Sequence, residues 1–359
     1  MFLVAVVSIA LKYGSECIIF GLTCVIIGLC FTIYADRIKP CKIPKPIETK
    51  AKCELKKTET FQSKYINTSF GRTYIEQWLF TSNNNNNTSY DIICVHGITQ
   101  PMGLAYEFIP YILNKINDKK LSNINTLTSY HLYGRGYSDT PLQPHTISLL
   151  TSQLSEVISA LNISNKLILI GYSLGGTIVT KFTEQYPYRV HKLVCIASAG
   201  LTVKLRNELK LLQLPILGDI AILFAKSLLP RNVKKSLDRS FNSKKYNTKS
   251  QRDIMSKSSF IQINNHPGFP YTLLSSLRYF TLTSNDFKCI FDKLYNDSSF
   301  NNNDWLFIWS KSDKTCPAPT NDIYSETQNI VLTDAFHGDI VAIHGLREYG
   351  DKLLEFLNF

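Results

Sequence analysis

The stretch Lys166–Gly176, KLILIGYSLGG, decides how this chain is read. Leu167–Ile170 is an apolar, branched run of the length of a buried strand. The chain then turns through Gly171-Tyr172-Ser173-Leu174-Gly175, a G-x-S-x-G pattern, and Thr177–Phe182 reads as a helix. A serine at the apex of a strand, tight turn and helix is where a hydroxyl can be presented as a nucleophile in a strained conformation. Gly171 and Gly175 carry no Cβ, so strand and helix can crowd that serine. The helix start supplies free N–H groups and a dipole that favour negative charge developing there. A chance serine between two glycines would look the same in isolation. The motifs that surround it, in their order, separate the two readings.

Working outward, Asp91–Val95 reads as a short buried strand, Leu104–Asn117 as an amphipathic helix and Leu127–Leu132 as a strand. Ile147–Leu161 is a helix with Leu149, Leu150, Leu154, Val157, Ile158 and Leu161 on one stripe, and Leu193–Ala197 is a further strand. Alternating strands and helices predict an α/β fold, a mostly parallel sheet covered on both faces. Upstream, Thr60–Tyr65 and Thr73–Leu79 read as an antiparallel edge, and Asn83–Asn87 as a solvated loop.

Val95-His96-Gly97-Ile98 follows the first buried strand. A tetrahedral oxyanion, as forms in ester cleavage, needs two backbone N–H groups at about 2.7–3.1 Å. Gly97 would let the Ile98 N–H face the serine, and the N–H of Leu174, the residue after it, would be the second donor. His96 reads as shaping this loop by hydrogen bonding. In His131-Leu132-Tyr133-Gly134-Arg135-Gly136-Tyr137-Ser138-Asp139, Arg135 and Asp139 read as braces for the loops around the pocket.

The order HGI, YGRGYSD, GYSLGG resembles the α/β-hydrolase superfamily over roughly Glu59–Phe359, and with the apolar N-terminus it looks most like membrane-anchored lipases and esterases of the monoacylglycerol-lipase type. That resemblance implies an eight-stranded, mostly parallel sheet flanked by helices, with an acid and a histidine after the serine. Asp313 matches the acid's place: it lies in the loop after the apolar strand Asp304–Trp309 and ahead of Pro317. His337 follows the short strand Asn329–Leu332 and precedes a last helix at about Leu346–Leu357. A buried carboxylate would fix the imidazole tautomer, and the imidazole would take the serine proton. The family often has Gly before this histidine; here Phe336 stands there and Gly338 follows. His344 rivals His337, and Asp334 and Asp339 rival Asp313, but both acids are very near His337 in sequence.

Between Ser198 and Asn303 the strand–helix rhythm stops. Leu209–Leu214, Ile220–Leu229 and Tyr271–Phe280 read as helical pieces, with Pro215, Pro230, Pro267 and Pro270 as breaks. An insertion here implies a helical cap. Its apolar helices and basic residues would suit a lid resting on a lipid surface, and a mere packing subdomain is the alternative.

At the other end, Cys17–Ala35 is an uncharged apolar run near the ~20 residues of a spanning helix. It predicts a single-pass anchor that stays attached; a cleaved signal peptide lacks support because apolar residues follow Met1 directly, with no basic n-region, and a buried soluble helix is the third reading. Arg37, Lys39, Lys42, Lys45, Lys50, Lys52, Lys56 and Lys57 then form a basic linker kept extended by Pro40, Pro44 and Pro46. This flank predicts a cytosolic catalytic part, whereas the sequons at Asn67, Asn86, Asn87, Asn162 and Asn296 would suit a lumenal one. The expected organisation is therefore an anchor at 1–35, a linker at 36–58, hydrolase core at 59–198 and 304–359, and a cap at 199–303.

The formal charge of +11 invites a nucleic-acid partner, but the basic residues are scattered and no nucleic-acid motif accompanies them. Anionic lipid headgroups explain the charge more simply. The nine cysteines show no C-x-x-C pair and predict neither a disulfide framework nor a metal site. The expected function is a serine hydrolase cleaving carboxylic esters of membrane lipids or other lipophilic molecules through Ser173, His337 and Asp313, without metal or cofactor. Acyl transfer from the same intermediate, or a non-catalytic protein on this fold, are the alternatives; oligomeric state is not legible. Epoxide opening and dehalogenation on this fold use an Asp at the elbow, which Ser173 replaces.

Overall fold

The computed structural model describes residues 61–80, 89–99, 102–121, 123–200, 207–214, 217–241, 249–280, 284–297, 300–319 and 330–358, and a few isolated positions between 21 and 28. The expected anchor at 1–35 lies almost wholly outside the described residues, and the linker at 36–58 lies entirely outside them. Among the described residues no helix is long and apolar enough to cross a membrane.

Eight strands form one sheet: β1 (Phe61–Thr68), β2 (Gly71–Leu79), β3 (Tyr90–Val95), β4 (Ile124–Tyr130), β5 (Lys166–Tyr172), β6 (Val190–Ile196), β7 (Trp305–Ser310) and β8 (Ile330–Thr333), in spatial order β1-β2-β4-β3-β5-β6-β7-β8. β2 is antiparallel to both neighbours, and every other pairing is parallel. β5, which carries the elbow, is thus central, between β3 and β6.

The central strands are apolar almost without interruption because both faces are covered. Alternate residues go to opposite sides. Ile168, Ile170, Val194, Ile196, Leu306 and Ile308 pack on one face with α2 (Phe108–Asn117) and α11 (Ile343–Leu357). Leu167, Leu169, Leu193, Trp305, Phe307 and Trp309 pack on the other with α3 (Ile147–Ala160) and α4 (Leu174–Gln185). Each such side chain contributes about 1.5–3 kcal/mol by burial, and truncating Leu154, fully buried in the stripe of α3, would cost about 2–5 kcal/mol. α3 begins where the Thr146 side chain accepts the Leu149 N–H at 3.2 Å.

Several boundaries differ from expectation. The first predicted helix is two, α1 (Met102–Ala105) and α2. Among the described residues between β6 and β7 lie α5 (Asn207–Gln213), α6 (Leu217–Leu223), α7 (Ala225–Ser240), α8 (Lys249–Asn265), α9 (Phe269–Tyr279) and α10 (Ser284–Tyr295). Pro230 does not end a helix but sits inside α7; its φ is compatible with the helix, at the cost of one i→i−4 N–H bond. Pro270 sits in the first turn of α9, where no N–H is needed. α8 and α10 have no counterpart in the expected pieces. For α8 the cause is chemical: its buried stripe is Met255, Ser259, Gln262 and Ile263, half of it polar, so hydrophobic spacing is silent.

Candidate active site

β5 ends at Tyr172 and α4 begins at Leu174, leaving Ser173 alone between them with φ 54° and ψ −117°. A non-glycine residue in such a region costs about 1–3 kcal/mol and persists only when its surroundings impose it. They do so through the backbone: the Ser173 N–H donates to Ile196 at 2.9 Å, and its carbonyl accepts from Gly176 at 3.0 Å and Ala199 at 2.9 Å. The two glycines of the motif serve close approach rather than unusual φ. A Cβ on Gly175 would stand 2.0 Å from the Val95 carbonyl oxygen, and one on Gly171 would stand 2.4 Å from that of Gly175.

His337, on the loop between β8 and α11, turns back over the sheet. Its Nε2 lies 3.2 Å from Ser173 Oγ and its Nδ1 lies 2.6 Å from Asp313 Oδ2. With Nδ1–H donating to the carboxylate, Nε2 is left to accept the serine proton. Asp313 follows β7; its other oxygen accepts the N–H groups of Thr315 at 2.7 Å and Cys316 at 2.9 Å. Those bonds satisfy a buried carboxylate while leaving Oδ2 aimed at the imidazole. The Cys316 thiol stays neutral, pushed up first by burial and then by Asp313. The loop carrying His337 has Gly338 where a Cβ would stand 2.6 Å from the Phe241 ring, and the Gly338 N–H donates to Ser240 at 2.8 Å. The last residue of α7 therefore anchors the histidine loop. Of the rivals, His344 lies in the first turn of α11, Asp339 opens a short 3-10 turn, and the Asp334 N–H donates to Glu348.

Gly97 brings the loop after β3 against the serine: its Cβ position is 3.3 Å from Ser173 Cβ. Ile98 lies on that loop, and Leu174 is the first residue of α4, with its N–H among those that have no intrahelical partner. His96 is buried; its Nδ1–H donates to Gly97 O at 2.7 Å and its Nε2 accepts the Leu132 N–H at 3.0 Å. Burial, with Arg135 adding to it, pushes this imidazole down to about 3 against the Gly97 bond, so it stays neutral. Its place is in the loop, as expected, and not as a base. Asp139 braces the other side: it accepts from Arg72 Nε at 3.0 Å and from the Arg72 N–H at 2.9 Å.

A family profile described as alpha/beta hydrolase fold matches residues 91–339. The chain belongs to the alpha/beta hydrolase family. The match covers well over half of the sequence and spans Ser173, Asp313 and His337 together. An uncharacterized protein of Mycobacterium bovis is 28% identical over 112 residues, which is 31% of this chain and 33% of that one. The match thus spans about a third of the length of such a relative. Among solved structures, this alpha/beta hydrolase is similar to an esterase from Exiguobacterium antarcticum (TM-score 0.59, 16% identity, 82% of this chain and 99% of that one). It is similar also to an enol-lactonase from Burkholderia xenovorans (TM-score 0.59, 13% identity, 82% and 99%). At these identities the likeness is one of fold.

Two contributions to the site were not legible in the sequence. The Tyr172 hydroxyl donates to the His337 carbonyl at 2.8 Å across 165 positions of chain. The Thr315 and Cys316 N–H groups that fix Asp313 are backbone donors, invisible to residue type. A turn beginning Asp-Lys-Thr-Cys, in which an Asp accepts N–H groups two and three residues on, is the one local signal that could have found them.

Proposed function

We propose that this alpha/beta hydrolase is a serine esterase acting on carboxylic esters of lipophilic, monoacylglycerol-like molecules. The observation that carries the reading is the hydrogen-bonded order Asp313–His337–Ser173, assembled from three loops. In the proposed reaction His337 Nε2 takes the Ser173 proton as Oγ attacks the ester carbonyl. The oxyanion that forms is met by the N–H groups of Ile98 and Leu174. The imidazolium, stabilised by Asp313, gives its proton to the leaving alcohol, and an acyl-Ser173 ester remains. Water, deprotonated by His337, then attacks that ester; the acid leaves and Ser173 regains its proton.

The lipid substrate and a bilayer partner rest on surface chemistry. Leu211, Leu214, Leu217, Ile220 and Phe224 of α5, α6 and the turn after them are exposed, and Lys210, Arg231, Lys234, Lys235 and Arg239 are exposed nearby in sequence. Exposed apolar side chains close in sequence to exposed cations suit an anionic lipid surface. With residues 17–35 as a single-pass anchor and the basic linker on its inner side, the proposed location is a membrane with the catalytic part cytosolic.

A fluorophosphonate probe tests the central claim. Labelling of the folded protein that disappears in Ser173→Ala, together with release of fatty acid from a monoacylglycerol, is the expected result. Folded protein that takes up no probe would leave a non-catalytic hydrolase fold. Transfer of the acyl group to an added alcohol in preference to water would make it a transferase. Flotation with phosphatidylserine vesicles, compared for the full chain and one starting at Glu59, checks the membrane claim.

A further inference from the structure

Arg135 is among the largest fully buried side chains, and its guanidinium meets no carboxylate among the described residues. Burial lowers its pKa only to about 9, so it keeps its charge at neutral pH. Its donors go to neutral oxygens: Nε to Ile98 O at 2.8 Å, one terminal nitrogen to Tyr133 O at 2.9 Å and the other to Ser276 Oγ at 2.7 Å. A desolvated cation is costly to keep without an anion, so what it holds is informative. It holds the loop after β3 to helix α9 between β6 and β7.

The same loop is held at its neighbours. Gly97 O accepts from His96, Ile98 O from Arg135, and Thr99 O from Gln262 Nε2 at 3.2 Å. Three successive carbonyls thus each meet a different side chain. The Gly97 carbonyl and the Ile98 N–H belong to one peptide group, so fixing the planes on either side of Ile98 fixes where that N–H points. Gln262, buried on α8, also accepts the Gly136 N–H at 2.8 Å, next to Arg135. Further bonds join the stretch between β4 and α3 to the same helices: His266 Nε2 with Ser138 O at 3.1 Å, and the His145 N–H to Ser275 Oγ at 2.9 Å.

We propose that Arg135, Ser276 and Gln262 are positioning residues that carry the placement of helices α8 and α9 to the Ile98 N–H, so that the oxyanion site is complete only with those helices seated. This rests on the serine-hydrolase reading. It makes α8 and α9 a fixed part of the chemistry, needed even for an ester too small to touch them. A lid that moves as a whole between β6 and β7 would break the site as it opened.

The test uses the full chain with p-nitrophenyl acetate, a trifluoromethyl ketone whose adduct carries an oxyanion, and a fluorophosphonate. Ser276→Ala removes one side-chain link and Gln262→Ala removes two, and neither touches a reacting atom. The expected result for each is kcat down about tenfold with KM within about twofold, and trifluoromethyl ketone affinity down in parallel with kcat/KM. Arg135→Lys should lose about a hundredfold in kcat, near the effect of losing one oxyanion donor. Should that variant fail to fold, the two cap variants, checked by thermal unfolding, decide alone. Unchanged kcat in both, in an active wild type, overturns the proposal, and so does a rise in KM alone, which would make them substrate contacts. A wild type that neither hydrolyses the ester nor takes the probe overturns the serine-hydrolase reading itself, and this proposal with it.

Discussion

The Tyr172 hydroxyl donates to the His337 carbonyl at 2.8 Å, and the two rings lie 5.2 Å apart. The last residue of β5 therefore holds the histidine loop, while the next residue is the serine that histidine faces. Elbow and histidine are thus referred to one strand at the centre of the sheet. Burial, then Asp313, pushes the Tyr172 phenol well above its ordinary range, so it remains a neutral donor.

Tyr172→Phe should consequently lower kcat by about tenfold, the equivalent of one net hydrogen bond, with KM little changed. Steady-state kinetics on a soluble ester checks it. An unchanged kcat would mean that the loop is placed without this bond.

Asp313→Asn keeps the shape and removes the charge that sets the His337 tautomer. The expected loss in kcat is about 10⁴-fold, with the circular dichroism spectrum retained. A loss of less than tenfold would point to another residue orienting the imidazole.

The glycines packed around Ser173 should sort by clearance. Gly175→Ala forces a Cβ to 2.0 Å from a backbone oxygen, whereas Gly97→Ala meets Ser173 Cβ at 3.3 Å, where a few tenths of an ångström suffice. Urea denaturation should show a loss of about 1–3 kcal/mol or more for Gly175→Ala and a distinctly smaller one for Gly97→Ala. Equal losses would contradict the packing described.

Stability should fall with acid through two buried imidazoles. His96 is held down at about 3 and His266 at about 4, both chiefly by burial, against an ordinary 6.5. The unfolded chain therefore takes up these protons first. Their contribution is whole above pH about 6.5 and declines as pH falls, until each folded pKa is passed, by up to about 1.4 kcal/mol per pH unit per group. Urea midpoints between pH 7.5 and 5 should drop, and His266→Gln should make the drop shallower. A slope unaffected by that substitution would remove His266 from the account.

Much of this was legible in the residues because the signals were local. The G-x-S-x-G turn lies within one strand–helix unit, so Ser173, Leu174 and the alternating elements around them could be read from spacing. Asp313 and His337 were found through the resemblance to a family, not through periodicity. What stayed hidden is of another kind. The helix α8 escaped notice because half of its buried stripe is polar, and polar residues at helical spacing look like a surface. Arg135 read as a loop brace, but its reach to Ser276 joins segments 141 positions apart.

The sequence by itself determined that a serine sits at a strained turn in a covered parallel sheet, because strand, turn and helix propensities act over a few residues. Only the tertiary structure decided which imidazole meets that serine, which carboxylate meets the imidazole, and which side chains hold the neighbouring loop carbonyls. Those are contacts between distant segments, and their geometry is set by how the sheet and the helices between β6 and β7 pack, which no stretch of chain encodes alone.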